Sequence, residues 1–283
     1  MRKLIRTLFA SVVALGLAGP AMAQDKVIEM GTMAWEDLVP ITGITKKVLE
    51  DKGYTVNVTE FSDWGIAYAA LVKGDVEILA SQIDYVAQDY WERNKGKLEK
   101  LSPVSHGLYQ GIAVPDYVPI TSIEQLNDNA DKLGGKVIGI EPGSGLMREA
   151  EEVVSEYGLN LQLIEGSTAG MSAALKSAVD REEWIAVTIW EPSWMMSKFK
   201  VHFLDDPKGI FAPPQSYYWI AKEGFAEANP EAREAIASVF VPLANITAIN
   251  GEVSDGKSMD DAIADWIAAN GELITRWENI KSY

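Results

Sequence analysis

What constrains this chain most is a strand–helix alternation that runs through it twice. Residues 26–33 pattern as a strand, with Val27, Ile28 and Met30 apolar. Residues 38–52 pattern as an amphipathic helix with Ile41, Ile44 and Val48 on one face, and Gly53 is placed to end it. A strand at 54–61, a helix at 64–73, a short buried strand at 76–80 and a helix at 87–98 continue the rhythm. Such an order predicts a mostly parallel sheet. A second unit opens at 110–118. It continues with a helix at 122–132, where Ser122 and Gln125 stand at capping-box spacing. Strands at 136–140, 159–164 and 184–189 then alternate with helices at 146–157, 168–179 and 193–199. Pro213 and Pro214 break the pattern, a strand at 217–221 returns to the first unit, and helices at 230–241, 258–269 and 273–280 close the chain. The predicted architecture is α/β with two lobes and a hinged cleft. Residues 24–113 and 214–283 form the first lobe and 114–213 the second.

The first 23 residues read as an export signal. Arg2, Lys3 and Arg6 precede an apolar run at 8–17, and Ala21-Met22-Ala23 is a small-residue cleavage site before Gln24. The run is shorter than the roughly 20 residues that span a bilayer. There is no cysteine, which removes disulfides, thiolate metal sites and a lipid-modified N-terminal cysteine. The expected product is free in the periplasm. Removing three cations with the leader takes the formal charge from −16 to −19. That charge repels nucleic acid and attracts cations at long range, and it also serves simple solvation.

No catalytic motif accompanies this frame. The two histidines, His106 and His202, are far apart, and G-x-S-x-G and H-E-x-x-H patterns are missing. No catalytic residue, metal site or cofactor is expected. The aromatic residues are more specific. Ligands of open α/β sheets bind beyond the carboxyl ends of strands. Trp35 follows the first strand, Asp84 and Tyr85 follow the third, Tyr109 stands at the crossover, and Trp190 and Glu191 follow the strand at 184–189. Core packing is the alternative for each aromatic. Gathered in a cleft, their faces suit a quaternary cation, at roughly 1–2 kcal/mol per desolvated face. Three or four faces give about 3–8 kcal/mol, below the ~8 kcal/mol net of micromolar binding once ordering costs are counted. A second anchor is needed. Gly143, Ser144 and Gly145 form a strand-to-helix turn that aims N–H groups at an anion, or is simply a tight turn. Asp37 and Asp84 are candidate carboxylates for a cation.

Five ordered stretches resemble the glycine betaine/choline/proline-betaine substrate-binding proteins of ABC importers. They are Gly111-Ile112-Ala113-Val114-Pro115-Asp116-Tyr117-Val118, Ile138-Gly139-Ile140-Glu141-Pro142-Gly143-Ser144-Gly145, Glu165-Gly166-Ser167-Thr168-Ala169-Gly170-Met171, Trp190-Glu191-Pro192-Ser193-Trp194 and Phe203-Leu204-Asp205-Asp206-Pro207-Lys208. The resemblance implies a two-lobed periplasmic binding protein, a monomer that delivers its ligand to a permease and ATPase. It implies that Trp35 and Trp190 are cage tryptophans and that Asp37 is the carboxylate of choline-type members. Where the family often has tryptophan, this chain has Ile83-Asp84-Tyr85, so that Tyr85 or Trp91 stands in. Where the family has histidine, it has Ser193, which leaves choline, betaine, carnitine, dimethylsulfoniopropionate and trimethylamine oxide all open. The rivals are a binding protein for an amino acid or sulfonate, for which Arg148 is the one arginine near the turn, and a periplasmic enzyme on the same scaffold.

Overall fold

Val27–Met33 (β1) runs parallel to Thr55–Phe61 (β2) along its whole length and to Ile78–Ser81 (β3) on its other edge. This computed structural model describes residues 26–84 and 86–280, so the leader at 1–23 and Tyr85 lie outside the described residues. Leu38–Asp51 (α1) joins β1 to β2 and buries Ile41, Ile44 and Val48, the face its periodicity predicts. Trp64–Lys73 (α2) joins β2 to β3. The Asp63 side chain caps it by accepting from the Ile66 N–H at 3.1 Å. Gln88–Asn94 (α3) then leads into Leu98–Pro115 (β4), a strand of 18 residues.

β4 belongs to both halves of the molecule. Lys136–Ile138 (β5), Gln162–Ile164 (β6), Val187–Glu191 (β7), Val201–Phe203 (β8) and Gln215–Lys222 (β9) complete one sheet ordered β2-β1-β3-β9-β4-β7-β5-β6, with β8 also on β4. The flanks are parallel, as the alternation predicts. The middle is not: β9 is antiparallel to β3 and β4, and β4 is antiparallel to β7. The correction has a simple cause. The chain passes between halves on extended segments, not on a crossover helix, and the returning strand runs opposite to the outgoing one.

Gly145–Glu156 (α4), Thr168–Asp180 (α5) and Trp194–Phe199 (α6) cover the second half of the sheet. Phe225–Ala228 (α7), Pro230–Ser238 (α8), Leu243–Ser254 (α9), Met259–Ala269 (α10) and Gly271–Glu278 (α11) cover the first. Two hydrophobic cores result. One gathers residues up to Leu108 and from Tyr217 onward; the other runs from Ile112 to Phe211. Ile112 and Ala113, assigned from sequence to the first lobe, pack in the second core.

Two other expectations differ locally. The helix expected at 122–132 is a pair of short 3-10 turns, Ile123–Gln125 and Asn127–Asn129, although the Ser122–Gln125 capping box forms. Asn127 competes with helix formation: its side chain donates to the Gly158 carbonyl at 3.0 Å and accepts from the Asn160 N–H at 2.7 Å. α9 was absent from the sequence pattern and is held by burial of Ile246 and Ile249.

β4 bends at register shifts against β9, the last between His106 and Leu108. Gly107 sits there with φ +101°, and a methyl group on it would lie 3.2 Å from Leu243 Cδ1. Gly107→Ala therefore loses about 2 kcal/mol, roughly 1 kcal/mol more than Gly53→Ala, whose left-handed site is open. Denaturant unfolding of the two variants side by side measures the difference.

Candidate functional site

The gap between the two cores is lined by the segments after β1 and β3, the middle of β4, the turn before α4, and the end of β7. Trp35 is fixed first by its backbone. Its N–H donates to the Met33 carbonyl at 2.8 Å, and its own carbonyl accepts from Leu38 and Val39 at the start of α1. Its ring is 38% exposed and meets Trp64 edge-on at 5.4 Å between centroids. Behind it stand Trp64, Tyr68 and Tyr90, each against the next, with the Tyr68 hydroxyl 2.9 Å from Ser81 Oγ. Trp64 is thus a brace for Trp35. Its spacing from Tyr68 on one helix face was the signal in the sequence.

Asp37 does not lie open in the cleft. It is 4% exposed, and its Oδ2 accepts from Gln82 Nε2 and from the Tyr217 hydroxyl, each at 2.8 Å. Burial raises its carboxyl above the ordinary range, and the two donors offset part of that rise. The Tyr217 phenol is pushed well up by burial and by the Asp37 charge. This cluster ties the exits of β1 and β3 to β9.

Glu36, which sequence reasoning passed over, faces the other core. Burial first, and the Asp37 carboxyl second, push its carboxyl up to about 7. The polar side chains of Ser193 and Trp194, from the second half, lie near enough to it to offset part of the rise. Its Oε1 is buried with no partner among the described residues. Ser193 is fully buried, and its Oγ also accepts from the Met195 N–H at the start of α6.

Trp190 lies within β7 rather than after it. It is half-buried against the second core, and in the register it stands opposite Gln110 of β4. Cross-strand partners share a face. Gln110 donates to Glu149 on α4 at 2.5 Å, so this is the face that α4 covers. A methyl group on Gly145 would lie 3.8 Å from Gln110 Nε2 and 3.9 Å from Val86 of the first half, so the turn touches both halves. Gly143 holds φ +82° there. Ser144 caps α4 by accepting from the Met147 N–H at 3.3 Å, and Arg148 folds back to donate to the Gly143 carbonyl at 2.9 Å.

The remaining candidates go elsewhere. Tyr109 pairs with Glu191, which puts both on the opposite face from Trp190. The Tyr109 ring meets Phe203 edge-on at 4.9 Å and lines an open cavity of about 480 Å³ with Asp205, Asp206 and Phe211. Glu191 is exposed. Trp91 packs against the first core from α3. Asp84 is exposed and accepts from the Ser216 N–H at 3.3 Å. The candidate site sets Glu36, flanked by Trp35 and Asp37, against Ser193 and Trp194 after β7, while the turn at 143–145 reaches Gln110, the partner of Trp190, and Val86. It is acidic on the Trp35 side and positive at the helix start.

Residues 26–269 match the family model described as the substrate binding domain of ABC-type glycine betaine transport system. The glycine betaine/carnitine transport binding protein GbuC of Listeria monocytogenes is 31% identical over 153 residues, 53% of this chain and 51% of its own length, so the chain spans about half of that relative. The glycine betaine/proline betaine-binding periplasmic protein of Escherichia coli is 25% identical over 282 residues, 84% of each chain. Among solved structures, lactococcal OpuAC, closed on glycine betaine, superposes with a TM-score of 0.80 at 25% identity over 90% of this chain and 100% of its own. An ABC-transporter choline binding protein with bound choline shares the fold, with a TM-score of 0.73 at 22% identity over 89% and 91%. The two halves described above form the two-lobed periplasmic binding protein fold of these neighbours.

The Glu36 environment has a consequence for stability. Its carboxyl titrates near 7 when folded and near 4.5 when unfolded, so the folded state binds the proton more tightly. The associated stability is complete below pH 4.5 and is lost as pH rises through 7. Glu36→Gln removes this dependence, while Asp37 remains in both proteins. Between pH 4.5 and 8, the wild type should lose up to about 3 kcal/mol relative to the variant, measured by urea unfolding at each pH. A constant difference would show that Glu36 is not held in this state.

Proposed function

The chain belongs to the family of substrate-binding domains of ABC-type glycine betaine transport systems, and on that premise we propose that it captures a small methylated onium solute in an aromatic cage between its lobes. This is a transport-binding family, not a class of enzymes. The observation that carries the reading is the meeting of residues 35–37 with residues 190–194 across the gap between the cores. It supports placing Trp35 and Trp190 about one site beside the Glu36 and Asp37 carboxyls. A permethylated nitrogen has no N–H to offer. Aromatic faces hold it by electrostatics and dispersion, and a nearby carboxyl adds charge attraction that strengthens as water leaves.

The solute is choline, a betaine, carnitine, dimethylsulfoniopropionate or trimethylamine oxide. Ser193 supports looking beyond glycine betaine: its hydroxyl caps α6 and faces Glu36, which disfavours a ligand carboxylate in that corner. The protein works in the periplasm, where the Escherichia coli relative is named as residing. The loaded, closed form docks on a permease driven by an ATPase. Arg148, folded over the turn at Gly143, favours a second reading in which an amino acid or sulfonate is held by its anionic group.

Calorimetry with the five onium solutes, taurine and glutamate tests the two readings together. At least one onium solute should bind more tightly than about 1 mM, roughly 4 kcal/mol. Trp190→Ala should then lose about 2 kcal/mol or more, near thirtyfold in affinity. Binding of taurine or glutamate alone, abolished by Arg148→Ala, would establish the second reading in its place.

A further inference from the structure

Two short stretches of chain join the halves. The first core reaches Leu108 on β4, and the second begins at Ile112; the second ends at Phe211, and the first resumes at Tyr217. Residues 109–111 and 212–216 are therefore the crossings. One side chain grips both. Glu149 of α4 is fully buried, so it offers no surface to a ligand. Its Oε2 accepts from Gln110 Nε2 at 2.5 Å, and its Oε1 accepts from the Ala212 N–H at 2.6 Å. Gln110 lies in the first crossing and Ala212 in the second. The ends of the crossings nearer the first half are tied to that half. Leu108 pairs with Gln215, the Ser216 N–H donates to Asp84 at 3.3 Å, and Ser216 Oγ lies 2.7 Å from His106 Nδ1. Between the two sets of ties only Tyr109 remains on one crossing and residues 213–214 on the other.

Both oxygens of Glu149 act as acceptors at once, which an apolar side chain cannot imitate. Resting on the reading that a ligand is captured between the lobes, we infer that Glu149 is the positioning residue of the hinge. It binds both crossings to the second half and confines their flexing to Tyr109 and residues 213–214. Gly145, at the start of the same helix, approaches Gln110, so the crossing and the turn beside the site move as one body. Without an acceptor at 149, two donors are left buried and unpaired, and the crossings come loose from α4. Fewer molecules then hold the halves in the binding arrangement, and the apparent affinity falls with that fraction.

The chain has no cysteine, so Ala173→Cys on α5 and Ala264→Cys on α10, both exposed, take one spin label in each half. Pulsed electron resonance on the ligand-free protein should give a distance distribution at least about twice as wide in Glu149→Met, which has similar size and no acceptor oxygen, as with Glu149 in place. Glu149→Gln should restore the narrow distribution. Its oxygen accepts from Ala212, and its amide donates to Gln110 once the Gln110 amide turns over. Calorimetry with choline and glycine betaine on the unlabelled proteins should show binding at least about tenfold weaker in Glu149→Met, and within about threefold of the wild type in Glu149→Gln. An unchanged width in Glu149→Met overturns the inference, whatever its melting temperature, since Glu149 then only stabilises the core. So does an unchanged affinity, and so does a Glu149→Gln distribution as wide as that of Glu149→Met. If Glu149→Met does not fold, Gln110→Met, which severs one tie and keeps the other, should widen the distribution, and an unchanged width there overturns the inference. Failure of every onium solute to bind the wild type overturns the onium reading, while the ligand-free distribution decides this one.

Discussion

The structure depends on a change of partner within one strand. β4 pairs with β9 as far as Leu108 and with β7 from Tyr109 onward. A backbone with its hydrogen bonds made cannot slide or swivel freely, so the two cores are held by a common spine rather than a tether. The position where one partner ends and the next begins is where a crevice must open, because neither sheet half covers it. Gln110 and Trp190 face each other there, and the loops after β1 and β3 end beside it. Strand-order switches are where α/β folds place ligands.

Charge at that crevice is set by the neutrality of the groups around it. Asp37 is stabilised by an amide and a phenol, and Glu36 by a hydroxyl and an indole. None of these four partners carries a positive charge. Burial therefore raises both carboxyls, and the site resists a second negative charge. The Arg148 guanidinium lies instead at the start of α4, where it strengthens an already positive helix end. The site is polarised along its length by side chains that never need to touch.

Much of the fold was legible because periodicity reports burial. α1, α2, α4 and α5 are found within a residue or so of their apolar patterns. The first half of β4 was not, since its sequence mixes Lys100, Ser102, Pro103 and Ser105 with apolar residues, and its bulges scramble the two-residue alternation. α9 escaped for a related reason: Asn245, Asn250 and Gly251 are weak helix formers, and tertiary burial decides the matter. Within the candidate site, Trp35 and Trp190 stand out in the sequence as aromatics near strand ends. The separation of Tyr109 from Trp190 depends on register, which no single strand encodes. Glu36 was invisible because its meaning comes from Ser193 and Trp194, which lie far along the chain in the other half.

The discontinuity of the first core has a consequence for how the molecule comes to exist. β9 lies between β3 and β4, yet it is made after the whole second half. Chain that emerges from its N-terminus can assemble β1, β2 and α1 but cannot close the sheet over Trp219 until residue 222 has appeared. The second half, contiguous in sequence, can condense earlier. Closing the first half of the sheet therefore requires placing one late strand between β3 and β4, a long-range step that is slow for reasons of chain entropy alone, and the helices after β9 complete that core later still.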